Sequence, residues 1–201
     1  MKHTEGNTEN IFIRGDVIMK RYTMVCVLLS LLGGIIAPGA IAADKKGTRL
    51  YADLLSAYVH DGVVDYQGFA ADESKLDAYL DFLASRDPDQ MPRNEKFAFY
   101  INAYNAWTIK LILTQYPDLT SIKDLGSFFS SPWKKKLCRI NGRMLSLDEI
   151  EHDILRPEFQ DPRVHFAINC ASKSCPNLIS EPYDGQTLDS QLDAVTKGFI
   201  N

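Results

Sequence analysis

The chain has 201 residues, 45% hydrophobic and 24% charged, with a formal net charge of −4. That composition suits a globular protein with a true core, and the length fits one domain beside a targeting segment. The acidic balance supplies no basic face of the kind nucleic-acid binding requires.

Residues 1–18 lack periodicity and are polar from His3 to Asn10, so they read as an over-extended start. Met19-Lys20-Arg21 opens a better one. Val25–Ile36 is an apolar run broken by Ser30, Gly33 and Gly34, and Ala40-Ile41-Ala42 follows as a small-x-small site. This is the pattern of a secretory signal peptide over residues 19–42. The run is shorter than the ~20 residues a spanning helix needs. The expectation is cleavage after Ala42, a mature protein from Ala43 in the periplasm, and no membrane span. Cys26 would leave with the signal. Cys138, Cys170 and Cys175 would remain, an odd number in an oxidising compartment.

Thr48–Val59 is expected to be helical, with Leu50, Leu54, Leu55 and Tyr58 on one face. Asp61-Gly62 ends it, and Val63–Tyr66 is extended. Asp72–Leu83 reads as a second helix, burying Leu76, Tyr79, Leu80 and Leu83. Asn94–Tyr116 is the strongest helix, capped by Asn94, closed by Pro117 and apolar on most sides, hence central. Glu95, Asn102 and Asn105 lie near one another on it. A buried amide must find partners, so the asparagines either brace a loop or face a groove.

Ser121–Lys136 suggests a short helix and a loop, with Trp133 packed down and Lys134–Lys136 solvated. Asn141-Gly142 between short extended runs signals a hairpin. Ser146 and Glu149 form a capping box for a helix that Pro157 stops. Gln186–Phe199 has helical spacing at Leu188, Leu192 and Val195. One domain, 48–201, follows.

Val164–Leu178 gathers the most reactive chemistry. Val164, Phe166 and Ile168 alternate with His165, Ala167 and Asn169, which predicts a strand. Pro176 suits the first position of a helix, which would set Cys175 where the dipole favours a thiolate.

Three segments carry a family resemblance: Lys96-Phe97-Ala98-Phe99-Tyr100-Ile101-Asn102-Ala103-Tyr104-Asn105-Ala106, Leu145–Arg156, and Arg163–Pro176 with its Asn169-Cys170-Ala171-Ser172-Lys173-Ser174-Cys175 core. Together they resemble the domain of unknown function 547 family over about residues 53–201. The resemblance implies an α/β domain of α+β type, mainly helical with a small sheet around helix 94–116, found in bacterial exported proteins. A looser likeness reaches papain- and transglutaminase-like folds. Members continue past Phe199-Ile200, which implies a truncated C-terminus here. No established activity comes with the family.

Two functions stay open. One is a cysteine-dependent hydrolase or acyl-transferase acting on amide or ester bonds. Cys175 or Cys170 would be nucleophile, His165 base and Asn102 the orienter; its substrate would be a small molecule or a peptide. The other is a non-catalytic binding or scaffold domain with a structural Cys170–Cys175 disulfide. Neither implies a cofactor. A metal site using His165, both cysteines and His152 fits no standard zinc spacing.

Overall fold

Helix α1 (Pro38–Tyr58) leads into a hairpin of β1 (Val59–His60) and β2 (Val63–Val64), paired antiparallel. This is a computed structural model, and it describes residues 38–119, 122–125, 131–172 and 175–201, with side chains from residue 46 and none at 123–124. The proposed over-extension and nearly all of the proposed signal peptide lie outside the described residues. Ala43–Asn201 forms a compact unit. At the hairpin turn Asp61 and Gly62 both have positive φ, 50° and 79°, which matches the twist of the flanking strands. The chain therefore folds back as a hairpin where the sequence suggested a helix end followed by an extended run.

α2 (Tyr66–Ala71) and α3 (Glu73–Ala84) follow, and Leu76, Tyr79, Leu80 and Leu83 are buried as expected. α4 (Arg93–Leu113) is the central helix, and fifteen of its residues are buried. It packs on α2, α3 and the helical segment after residue 146. Stacked rings tie it to its surroundings, with Phe97 and Phe159 centroids 4.3 Å apart. Its cap corrects the sequence reading. Pro92, not Asn94, precedes the first turn; a proline there forfeits no helical hydrogen bond. Arg93 instead donates to the carbonyls of Glu158 (3.2 Å) and Phe159 (2.7 Å).

The second hairpin joins β3 (Cys138–Ile140) to β4 (Arg143–Leu145) in antiparallel register, turning on Asn141 and Gly142 as expected. The capping box is present too. Ser146 Oγ accepts from the Glu149 N–H at 3.2 Å, and Glu149 Oε2 accepts from the Ser146 N–H at 2.8 Å. α5 (Leu147–Glu149) then widens into a π-helical turn, Ile150–Leu155, and continues as α6 (Arg156–Phe159). Pro157 was expected to stop this helix and does not. The wider turn lets the Arg156 N–H reach Glu151 O, five residues back, and Pro157 sits where α6 begins, a position that needs no N–H donor.

Two further corrections concern Val164–Leu178. Val164–Ala167 is a short helix, α7, rather than a strand. The Asp161-Pro162 turn nucleates it: Val164 N–H donates to Asp161 O and Ile168 N–H to Val164 O, both at 3.2 Å. Val164, Ala167 and Ile168 are buried, the spacing of a helix face. No helix begins at Pro176, which is followed by irregular backbone to Tyr183. α8 (Leu188–Ile200) closes the described chain. No described helix is long and apolar enough to cross a membrane.

Candidate functional site

Asn102 and Asn105, one turn apart on α4, are loop clamps. Asn102 is buried, donates to Tyr183 O at 2.8 Å and accepts from Tyr183 N–H at 2.9 Å. Asn105, also buried, donates to Ala167 O at 3.0 Å and accepts from Asn169 N–H at 2.8 Å. Each amide thus replaces the hydrogen bonds that a strand would have supplied to an irregular segment, as buried backbone requires. Glu95 belongs to the same face. A Cβ on Gly185 would lie 2.8 Å from Glu95 N and 2.9 Å from its Cα, so only glycine lets this loop approach the start of α4.

Asn169 carries the bracing one step further. Its Oδ1 accepts from the Ala171 N–H and its Nδ2 donates to Pro176 O, both at 2.8 Å. Its side chain therefore spans the loop that Cys170 and Cys175 close as a disulfide, with Cα atoms 5.9 Å apart. Ala171 has φ +55°, a conformation that costs a Cβ-bearing residue about 1–2 kcal/mol. Both cysteines are half-buried.

The four predicted site residues do not converge on one hydrogen-bonded constellation. Cys170 and Cys175 are joined to each other. Asn102 is occupied by Tyr183. His165 is exposed on α7, its ring set edge-on to Phe166 at 5.4 Å, and makes no side-chain hydrogen bond among the described residues. Cys175 is not at a helix N-terminus, so the dipole argument for its thiolate falls away. Cys138 is a free buried thiol, and burial pushes its pKa far up, which leaves it inert. Among the described residues no group of three or more His, Cys, Asp or Glu is placed to hold a metal ion.

A groove of about 660 Å³ opens beside the disulfide. Cys175, Pro176, Asn177 and Ile179 form one wall, Ala194, Val195, Gly198 and Phe199 of α8 the other, and Phe166 of α7 joins them. Among the described residues no charged side chain lines it. The apolar stripe of α8 explains why it is apolar. Leu188 and Leu192, at the start of the stripe, are buried in the core, whereas Val195 and Phe199, at its end, face the groove. Phe199 is 47% exposed and lies 5.3 Å from Phe166, ring to ring. Backbone groups add a second feature. Among the described residues, the N–H and C=O of Asn177, Leu178 and Ile179 make no hydrogen bond within the protein. Asn177 itself rests on the first hairpin, where a Cβ on Gly62 would fall 2.3 Å from Asn177 Cγ.

Sequence reasoning did not find the groove, Gly198 or the bridging role of Asn169. The continuation of the α8 stripe to Phe199 was the available signal.

These features define a mainly helical α+β domain with two small antiparallel hairpins and a disulfide-closed loop beside an apolar groove. Residues 88–200 match the family described as "Protein of unknown function, DUF547", and the chain belongs to that family. No curated protein and no solved structure matches the chain.

Proposed function

We propose that this is an exported binding domain rather than a hydrolase, and that its groove takes an extended, uncharged peptide segment. The carrying observation is the pairing of an apolar groove with a wall in which the main-chain groups of Asn177 and Ile179 have no hydrogen-bond partner among the described residues. An extended peptide can supply those hydrogen bonds as an added strand while its side chains fill the apolar floor. The volume lies within the usual range of ligand sites, and the described lining residues give a charged segment nothing to pair with. The signal-like sequence over residues 19–42 and a closed disulfide both support an oxidising compartment outside the cytoplasm.

A hydrolase at the same place needs a free sulfur on Cys175 or Cys170, with His165 as base and Asn102 as orienter. Asn102 spends both ends of its amide on Tyr183, so the binding reading carries more.

Gly198→Trp tests it. A Cβ there meets nothing within 4 Å, so the indole fills the groove without displacing the core. Short, labelled Val/Leu/Phe-rich peptides should bind the native protein and bind Gly198→Trp at least roughly tenfold more weakly by fluorescence anisotropy, about 1.4 kcal/mol. The melting temperature should hold or rise. Equal binding to both proteins, or binding of a fluorescent acyl chain but of no peptide, refutes the reading.

A further inference from the structure

We infer that Cys170–Cys175 is an exchangeable redox pair, and that its substrate is a peptide dithiol presented along the apolar groove. This rests on the groove reading above and adds a chemical step to it.

Position is the first argument. Cys175 is among the residues lining the groove and Cys170 is not, so a segment lying there lies against one member of the pair. Both residues are half-buried, neither sealed in the core like Cys138 nor fully in water. The reaction then has one direction of attack. A thiolate of the bound peptide attacks Cys175 Sγ. A peptide–Cys175 disulfide forms, the Cys170–Cys175 bond breaks, and Cys170 leaves as a thiolate that takes a proton. The peptide's second thiolate attacks its own sulfur in that mixed disulfide, and Cys175 leaves as the second thiolate. Two electrons pass from the peptide dithiol to the cysteine pair. Such exchange is limited by access and by which sulfur is attacked, and the groove governs both.

The scaffold is the second argument. A disulfide that folds a loop cannot be opened without losing the loop. Here the loop is held by bonds that do not involve sulfur. Asn169 links Ala171 N–H to Pro176 O, Cys175 N–H donates to Ser172 O at 2.9 Å, and Asn105 anchors Asn169 to the central helix. The two thiols of the reduced state therefore stay adjacent, and the pair can cycle without unfolding.

The test uses the full-length protein and three peptides. One is apolar with two cysteines, one is a Ser/Gly-rich control with the same two cysteines, and one is apolar with a single cysteine. The extent of reduction is read by alkylation and peptide mapping. The apolar dithiol should reduce Cys170–Cys175 at least roughly tenfold faster than the control. Gly198→Trp should remove that advantage. The single-cysteine peptide should be found on Cys175, not on Cys170. Reduced protein should keep its far-ultraviolet spectrum. A mixed disulfide on Cys170, or loss of fold on reduction, overturns the proposal. Peptide that binds in a Gly198→Trp-sensitive manner while the disulfide stays closed overturns the exchange and leaves the groove reading intact. Equal rates for both dithiol peptides, unaffected by Gly198→Trp, overturn the groove reading and the presentation step with it.

Discussion

Replacing Asn102 by leucine removes a clamp while keeping the number and branching of the side-chain heavy atoms, so most of its cost comes from the groups left behind. The amide satisfies both main-chain groups of Tyr183, at 2.8 and 2.9 Å, and Tyr183 is only 4% exposed. Each group left unpaired costs ~1–3 kcal/mol, partly offset by ~1–2 kcal/mol of added apolar burial. The net loss should be about 1–4 kcal/mol, a large part of the ~5–15 kcal/mol that stabilises a typical domain. At this size that corresponds to a fall of roughly 3–15 °C in melting temperature. Urea unfolding followed by circular dichroism measures it. Asn102→Asp sharpens the test. Its carboxylate can still accept from Tyr183 N–H but sets an oxygen against Tyr183 O, whereas the protonated acid can donate there. Burial and that carbonyl should raise its folded pKa, so the loss relative to the native protein should be smallest below the unfolded value of about 3.9 and grow as pH rises. An Asn102→Leu midpoint equal to the native one would refute the clamp.

Two further outcomes follow from single contacts. The Lys136 ammonium, with the Ser146 N–H and hydroxyl, holds the Glu149 carboxyl at about 2, down from 4.5. A depressed folded pKa contributes stability that is complete above the unfolded value and is lost as pH falls through the folded one. Glu149→Gln, which can still accept from Ser146 N–H, should therefore flatten the loss of stability between pH 4.5 and about 2 in an acid titration; an unchanged slope there would count against the Lys136–Glu149 pairing. Gly185→Ala forces a methyl against the Glu95 backbone, 2.8 Å from its nitrogen, and should cost ~1–3 kcal/mol by urea unfolding; a neutral result would mean that the loop stands off α4.

The elements legible in the sequence were those whose signals are local. The α4 apolar residues, Asn141-Gly142 and the Ser146–Glu149 box each specify their structure within a few residues. Val164–Asn169 misled because six residues fit both periods: Val164, Phe166 and Ile168 alternate, yet Val164, Ala167 and Ile168 have the helical spacing that is buried. The turn at Asp161-Pro162 decides between them. Pro176 looked like a helix start, but no apolar periodicity follows it. The need of Asn102 and Asn105 for partners was legible. The partners' identity was not, since they lie 62 to 81 residues away and only the folded chain brings them close. The groove is likewise tertiary, made where α8 and the segment after Cys175 diverge.

One feature of α8 separates what fills the groove from what holds it open. Arg163 donates to Asp161 and Asp189 at 2.7 Å and to Asp193 at 2.6 Å, so it ties the start of α8 to the residues just before α7. Its neighbour Asp161 titrates below the usual carboxylate range because of that guanidinium. Asp189 and Asp193 have side chains 82% and 50% exposed, within reach of dissolved ions, and a Debye length of about 8 Å at physiological salt shrinks to about 3 Å at 1 M. The helix that forms one wall of the groove is thereby pinned at its start by ion pairs that salt screens. Salt should therefore weaken the ionic attachment of the first turn of α8 while leaving its apolar face unchanged.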